Sequence, residues 1–169
     1  MTAHVEGAER RAWIGLGGNV GDVGAAFDSA LTMLTAVPGL RVVHASRRYR
    51  TPAWGNTAQP DFINAVAELA TSLAPLELLA ALQMTERAHG RDRAIETRWG
   101  PRTLDLDLLA VEGVVLDDVA LTLPHPRIAE RAFVLVPWAE IAADLDVPGL
   151  GRVADLAGLL DRSGIEAIP

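Results

Sequence analysis

The sequence contains no cysteine and no lysine. The absence of cysteine excludes a disulfide framework, a thiolate metal site and a cysteine nucleophile. The absence of lysine excludes a phosphate-binding loop that ends in Gly-Lys-Ser/Thr, and it excludes Schiff-base chemistry. All 15 basic residues are arginine, so a phosphate group would be bound by guanidinium forks, backbone amides or a metal ion.

Long apolar runs are also missing, because no stretch approaches the ~20 residues of a membrane span. The 15 basic residues are outnumbered by 22 acidic ones, and the net charge of −7 argues against a nucleic-acid partner. Residues 1–10 lack the layout of a signal peptide. We therefore expect a cytoplasmic protein without membrane or nucleic-acid partners. A length of 169 residues favours one domain over 1–169, with 1–10 as a loose leader.

The apolar periodicity predicts a βαββαβ order of elements. Strands are predicted over 12–16, 40–50, 62–71 and 103–111, helices over 23–37 and 75–89, and extra C-terminal elements over 114–116, 133–141 and 152–162. Asp22 is the expected N-cap of the first helix. This order is typical of the ferredoxin-like class of α+β sandwich, an antiparallel sheet with both helices on one face. We expect the other face to be open for a ligand.

Two carboxylates stand out in the last predicted strand. Asp105 and Asp107 alternate with leucines, so both face the same side of the strand. Neighbouring carboxylates repel each other unless a cation lies between them, and magnesium binds one or two carboxylates while keeping positions for phosphate and water. The alternative is an exposed acidic face without a ligand, and the Asp-x-Asp pattern alone does not decide between the two.

An arginine-rich segment comes directly before this pair. Its five arginines against Asp92 and Glu96 give a local charge of +3 in a chain of −7. The arginines are Arg87, Arg91, Arg93, Arg98 and Arg102. Guanidinium forks beside a magnesium site are what the transfer of a polyphosphate group requires. Pairing with surface acids is the alternative, and it explains a single arginine better than it explains the cluster.

The remaining motifs are less specific. We interpret the glycine-rich stretch 15–22 as a tight strand-to-helix turn, because Val20 occupies the third glycine position of the dinucleotide fingerprint. The histidines do not form a zinc-binding pair. His125 lies between two prolines and is either structural or a presented ligand contact. Phe62 and Phe133 are by default core residues.

Several segments taken together resemble one family. They are LGGN at 16–19, YRTP at 49–52, WG at 54–55, QPDFIN at 59–64, GRDR at 90–93, RWGPRTLDLDLL at 98–109, LPHPR at 123–127 and RAFVL at 131–135, with Gln83 and Glu86. In collinear order over about 12–142 they resemble the 6-hydroxymethyl-7,8-dihydropterin pyrophosphokinase family of folate biosynthesis. The Trp-Gly-Pro-Arg-x-x-Asp-x-Asp core is the most specific of them.

The resemblance implies transfer of the β,γ-pyrophosphoryl group of ATP to the hydroxymethyl oxygen of the reduced pterin, with release of AMP. It implies two magnesium ions held by Asp105 and Asp107, and catalytic roles for Arg91, Arg102 and Asp107. The implied pterin-binding residues are Thr51, Pro52, Trp54, Phe62, Asn64 and Phe133, with the two phenylalanines on either side of the ring. The implied nucleotide-binding residues are Gln83, Glu86, Arg93, Arg98, Trp99, Leu108, Thr122, His125 and Arg131.

Two other functions remain as alternatives. Another magnesium-dependent nucleotidyl or phosphoryl transferase would keep the aspartates but would not need Phe62 and Asn64. A non-catalytic nucleotide- or metal-sensing module would bind ATP without forming AMP. Departures from the family pattern at Ala94, Ala120 and Pro126 bear on nucleotide affinity and loop closure. We expect a monomeric enzyme whose substrates are ATP and the pterin.

Overall fold

The computed structural model describes residues 7–53, 58–90 and 103–169. Its main sheet contains β1 (Arg10–Gly18), β2 (Leu40–Ala45), β3 (Tyr49–Thr51), β4 (Phe62–Thr71) and β5 (Asp105–Val111), with helices α1 (Val23–Thr35) and α2 (Pro75–Ala88) between them. β1 lies between β4 and β5, while β2 and β3 share the far edge of β4, and every pairing is antiparallel. The predicted ferredoxin-like α+β fold is confirmed.

Both long helices pack on one face of this sheet. Alternate residues of β1, Ile14 among them, form the main core with Phe27 of α1 and Leu82 of α2. The predicted N-cap of α1 is confirmed, because the Ala25 N–H donates to the Asp22 Oδ1 at 3.0 Å. The aliphatic face of β1 and the apolar stripes of the helices thus bury each other.

The expectation that the opposite face is open was wrong for about half of it. Helices α3 (Ala132–Ala142) and α4 (Val153–Gly158) form a second core there with Trp13, Val66 and Leu109. These sheet residues are large and apolar, so leaving them in water would cost about 1.5–3 kcal/mol each. The chain after β5 therefore covers this end of the face.

The predicted continuous strand over 40–50 was also wrong, because the chain breaks at 46–48 into β2 and β3. The Ser46 hydroxyl accepts the Val66 N–H at 3.0 Å, and the Ser46 N–H donates to the Val66 carbonyl at 2.8 Å. A side-chain oxygen takes the place of a backbone carbonyl, so the ladder is interrupted and resumes at Tyr49.

Several boundaries differ from the prediction. The predicted turn over 15–22 begins later, because β1 continues through Gly18. Arg10, which was predicted to belong to a loose leader, is the first residue of β1. Residues 1–6 of that leader lie outside the described residues. The strand predicted over 114–116 is β6 (Leu116–Asp117), which pairs with β7 (Thr122–Leu123), and the last helix is shorter than 152–162. The remaining short elements are a 3-10 helix (Ile128–Glu130), β8 (Asp146–Val147), β9 (Gly151–Arg152) and β10 (Glu166–Ala167). In the described ranges, no helix is both long and apolar enough to cross a membrane.

The cap of α1 gives a stability prediction. Replacing Asp22 by alanine removes the acceptor for the Ala25 N–H, and we expect the free energy of unfolding to fall by about 1 kcal/mol. Urea denaturation measures this change. The control is Glu9→Ala, which removes only an exposed ion pair to Arg41 and should cost under about 0.5 kcal/mol. Equal effects in the two variants would contradict the capping role.

Candidate active site

A trough runs across the half of the sheet face that carries polar side chains. In one row Gly17 of β1 lies between Asn64 of β4 and Asp105 of β5, and in the next Gly15 lies opposite Asp107. Strands are about 4.8 Å apart, so Asn64 and Asp105 are separated by roughly 10 Å of sheet. The central strand contributes only glycine hydrogens between them, and the backbone forms the floor of the trough.

One wall of the trough is built around Asn64. This side chain is 8% exposed, and its Nδ2 donates to the Thr51 Oγ1 at 3.2 Å. A Cβ on Gly17 would lie 2.9 Å from the Asn64 Oδ1, so the amide lies directly over the glycine. Phe62 is two residues before Asn64 and faces the same side of β4. Three residues predicted to bind the pterin are thus brought together on adjacent strands.

The other wall carries the two predicted metal-binding carboxylates. Asp105 and Asp107 are half-buried and flank Leu106, whose N–H donates to the Glu86 Oε2 at 2.9 Å. Glu86 belongs to α2 and is 1% exposed. Its buried carboxylate therefore anchors the strand that carries both aspartates. We interpret Glu86 as an anchor of β5.

The first turn of α3 reaches the same wall. The Arg131 Nη1 lies 3.3 Å from the Asp107 Oδ2, and the Arg131 Cζ lies 5.7 Å from the centre of the Phe133 ring. Phe133 is half-buried at the edge of the second core. α3 therefore brings a predicted nucleotide contact and a predicted pterin contact to the predicted metal-binding carboxylates, which sequence spacing alone does not require.

The two aspartates fit a magnesium site. Both oxygen donors project from one face of one strand and are two residues apart. Magnesium is a hard cation that binds carboxylate oxygens through few protein ligands and completes its octahedron with water or substrate phosphates. The donor chemistry and the spacing suit that ion.

A cleft of about 270 Å³ lies along the outer edge of β5. It is lined by Leu79, Gln83, Leu106, Asp107, Leu108, Val119, Ala120, Leu121, Thr122, His125 and Pro126. Four of the residues predicted to bind nucleotide, Gln83, Leu108, Thr122 and His125, are thus gathered around one space that reaches Asp107. Ala120 and Pro126, two positions at which the sequence departs from the family pattern, also line this cleft.

His125 is held as a neutral ring in this cleft. The Arg127 N–H donates to its Nδ1 at 3.1 Å, so the remaining proton of the neutral ring is on Nε2. Burial, together with the charges of Arg131 and Arg127, lowers the pKa of His125 from 6.5 to about 4. The imidazole therefore offers an uncharged N–H donor across the physiological pH range.

Six predicted site residues lie outside the described residues. They are Trp54, Arg91, Arg93, Arg98, Trp99 and Arg102.

Sequence analysis gave no role in the site to three residues that shape it, although two of them, Gly17 and Asn19, belong to the LGGN motif. Gly15 and Gly17 were interpreted as turn glycines, although they form the floor of the trough. Asn19 is 4% exposed and donates to the Gln59 Oε1 at 2.9 Å and the Pro60 carbonyl at 3.0 Å, so it ties the end of β1 to the loop before β4. The alternation of Gly15 and Gly17 with Ile14 and Leu16 was the available signal, because a strand that alternates glycine with large apolar residues has one bare face.

Comparisons with known proteins show which family the chain resembles. The sequence profile described as 7,8-dihydro-6-hydroxymethylpterin-pyrophosphokinase matches residues 13–143. A 2-amino-4-hydroxy-6-hydroxymethyldihydropteridine pyrophosphokinase from Methylorubrum extorquens is 49% identical over 158 residues, which are 94% of this chain and 98% of the relative. The protein of the same name from Pseudomonas aeruginosa is 41% identical over 160 residues, with 95% and 98% covered.

Solved structures give the same fold. A crystal structure of Plasmodium falciparum HPPK-DHPS with pteroate superposes with a TM-score of 0.70 over 91% of this chain, at 11% identity. The present chain spans 43% of that longer chain, so less than half of the larger protein is compared. Profile, relatives and fold lead to one conclusion: this chain belongs to the 7,8-dihydro-6-hydroxymethylpterin-pyrophosphokinase family.

Proposed function

We infer that the chain transfers a pyrophosphoryl group from ATP to the hydroxymethyl group of 6-hydroxymethyl-7,8-dihydropterin and releases AMP, the folate-biosynthesis reaction of its family. One observation carries this inference. A wall for a flat polar ring, at Asn64 and Thr51, faces a carboxylate wall, at Asp105 and Asp107, across the glycine floor. The two reacting groups can therefore be held side by side.

The pterin is proposed to lie on the Asn64 side of the trough. Asn64 and the backbone at Thr51, Pro52 and Trp54 read its hydrogen-bonding edge. Phe62 and Phe133 hold its two faces, since a planar heteroaromatic ring needs two apolar surfaces and a polar rim. The bond from Asn64 to Thr51 supports this assignment, because it fixes the orientation of the amide. That orientation decides which ring atoms can be recognised.

The nucleotide is proposed to occupy the cleft along β5. Leu106 turns its N–H outward to Glu86, so Leu108, two residues later, turns its backbone groups to the same open edge. That edge suits recognition of a purine base by the main chain. Polar contacts are assigned to Gln83, Thr122 and the His125 Nε2–H, with Arg131 at the inner end beside Asp107. Glu86 is proposed to act indirectly, because its buried carboxylate anchors the strand that borders the cleft. The contacts from Arg93, Arg98 and Trp99 are proposed from the resemblance.

The phosphates are proposed to lie between the cleft and the trough, beside Asp105 and Asp107. These aspartates would hold two magnesium ions, which when bound neutralise phosphate charge and align the triphosphate. Arg91 and Arg102 are proposed to stabilise the charge of the transferring group. Asp107 is proposed as the acceptor for the hydroxyl proton of the pterin. Arg131, 3.3 Å from the Asp107 Oδ2, orients that carboxylate.

We further propose that residues 1–169 work as a single domain, as a monomer in the cytoplasm without nucleic-acid or membrane partners. The net charge of −7 supports the part of this proposal that concerns nucleic acid, because an acidic chain is repelled by a phosphate backbone. A sensing module without catalysis is the other function considered. The oriented carboxylate pair beside the trough favours the enzyme, since binding alone does not require reacting groups to converge.

AMP release tests the proposed function. With ATP and magnesium, we expect AMP only when 6-hydroxymethyl-7,8-dihydropterin is present. Asp107→Ala should lower turnover by at least about 100-fold, because a metal clamp is worth several kcal/mol of transition-state stabilisation.

The matched control is Asp117→Ala, which removes an exposed carboxylate of β6 and should keep full turnover. ADP in place of AMP would indicate transfer of a single phosphoryl group. ATP binding without any turnover would indicate the sensing module. Near-normal turnover in a folded Asp107→Ala variant would remove the metal assignment.

The floor of the trough gives a second prediction. A methyl group on Gly17 would lie 2.9 Å from the Asn64 Oδ1, whereas one on Gly15 would make ordinary contacts, 3.7 Å from the Leu109 Cδ2 and 4.0 Å from the Asp107 Cβ. We expect Gly17→Ala to displace Asn64 and to raise the KM for the pterin about tenfold, with little change in the KM for ATP. Steady-state kinetics with each substrate varied in turn measures both.

Gly15→Ala is the matched control and should change the pterin KM less than about twofold, because its neighbours need not move. If the two alanine variants weaken the pterin equally, the Asn64 wall has been misassigned.

The cleft gives a pH prediction. Because the folded pKa of His125 is lowered to about 4 from 6.5, the unfolded state takes up a proton first as the pH falls. His125 therefore contributes stability that is complete above pH 6.5 and declines toward pH 4. Imidazole NMR titration should show a midpoint near 4 and an unprotonated Nδ1 at neutral pH. A midpoint near 6.5 would contradict the neutral-donor assignment.

A further inference from the structure

The C-terminal strand β10 pairs with the outer edge of β3. Glu166 lies opposite Arg50, and the Ile168 N–H donates to the Arg48 carbonyl at 2.8 Å. β3 is therefore paired on both edges, with β4 on one side and β10 on the other. A strand of three residues holds its geometry poorly as a sheet edge, so β10 contributes to the order of β3.

β3 contributes Thr51 to the wall around Asn64, here called the pterin wall. Its last residue, Thr51, is 4% exposed and accepts the hydrogen bond from the Asn64 amide. The next residue, Pro52, begins the loop whose backbone is proposed to read the pterin edge. Any shift of β3 away from β4 lengthens the bond between Asn64 and Thr51. The pairing of β10 with β3 thus influences the position of Thr51 relative to Asn64 on β4.

The turn before β10 lies against the same loop. Gly164 has a φ of +82°, and a Cβ there would lie 3.3 Å from the Pro52 Cδ and 3.4 Å from its Cγ. The turn is closed by the Ile165 N–H, which donates to the Arg162 carbonyl at 3.1 Å. Pro52 therefore rests on a closed turn at the glycine, which leaves little room for movement on that side.

We propose that residues 164–168 are a positioning element for the pterin subsite, holding β3 and Pro52 in the geometry that binds the pterin. The proposal rests on the proposed function, since it assigns a role toward the pterin wall. The proposal predicts an effect on the binding of one substrate only. The nucleotide cleft lies on the opposite edge of the sheet, along β5, so loosening β10 should weaken the pterin and spare ATP.

The first test compares two glycines that have the same backbone conformation. Gly164→Ala and Gly149→Ala both place a side chain at positive φ, +82° and +75°, and so carry similar strain. Only Gly164 has a neighbour to displace, because among the described residues nothing lies within 4 Å of a Cβ on Gly149. We expect Gly164→Ala to raise the Kd for 6-hydroxymethyl-7,8-dihydropterin about tenfold and Gly149→Ala to leave it within about twofold.

Calorimetric titration measures these constants, with α,β-methylene-ATP and magnesium present so that the ternary complex forms without turnover. The Kd for α,β-methylene-ATP, measured alone, should stay within about twofold in both variants, because the cleft lies on the far edge of the sheet.

The second test compares a proline at Ala167, the last residue of β10, with a proline at Ile168, the residue after it. Because the Ile168 N–H faces β3, the N–H of Ala167 faces away from it. Ile168→Pro therefore removes a ladder bond, whereas Ala167→Pro removes none. We expect only Ile168→Pro to weaken the pterin and to speed hydrogen exchange at Arg50, whose N–H faces β10 by the same alternation.

Several outcomes would overturn the positioning role. They are an unchanged pterin Kd in folded Gly164→Ala and Ile168→Pro variants, equal losses in both glycine variants, and a parallel loss of α,β-methylene-ATP binding. If the Gly164→Ala variant does not fold, the pterin Kd values of the Ile168→Pro and Ala167→Pro variants test the proposal. Failure of the proposed function itself is seen separately, as a wild-type chain that neither binds the pterin nor releases AMP.

Discussion

The register of β1 between β4 and β5 is the constraint on which the site depends. It aligns Asn64, Gly17 and Asp105 in one row and puts Gly15 beside Asp107 in the next. A slip by one residue would turn the glycines to the helical face and aliphatic side chains into the trough. The register is maintained by burial of the aliphatic face against α1 and α2, so the same packing that stabilises the fold also sets the site.

One sheet face serves two purposes along its length. Its apolar end, at Trp13 and Val66, is buried under α3 and α4, while its polar end carries the trough. Packing in the second core fixes the position of α3. The residue that caps its N-terminus, Arg131, is therefore held at the polar end of the face, where it forms an ion pair with Asp107. The second core thus also supports the position of Arg131 beside Asp107. Precise placement of this kind is what positioning and electrostatic catalysis require.

The two edges of the sheet are used in different ways. The outer edge of β5 borders the cleft, and its Leu106 N–H is taken by the buried Glu86 carboxylate. The outer edge of β3 is covered by β10. Both arrangements satisfy strand edges that would otherwise be open to pairing with other chains. Each edge also supports the wall beside it, so edge protection and site construction are one feature of the fold.

Local pattern determined much of this protein: the βαββαβ order, the cap at Asp22, the shared face of Asp105 and Asp107, and the family motifs. These follow from periodicity and spacing, which act over a few residues. Tertiary structure alone decided that β2 ends just before Ser46, that α3 and α4 cover part of the second face, and that Gly15 and Gly17 form a floor. Those outcomes depend on contacts between segments distant in sequence, such as Ser46 with Val66, and no local pattern encodes which distant partner is met.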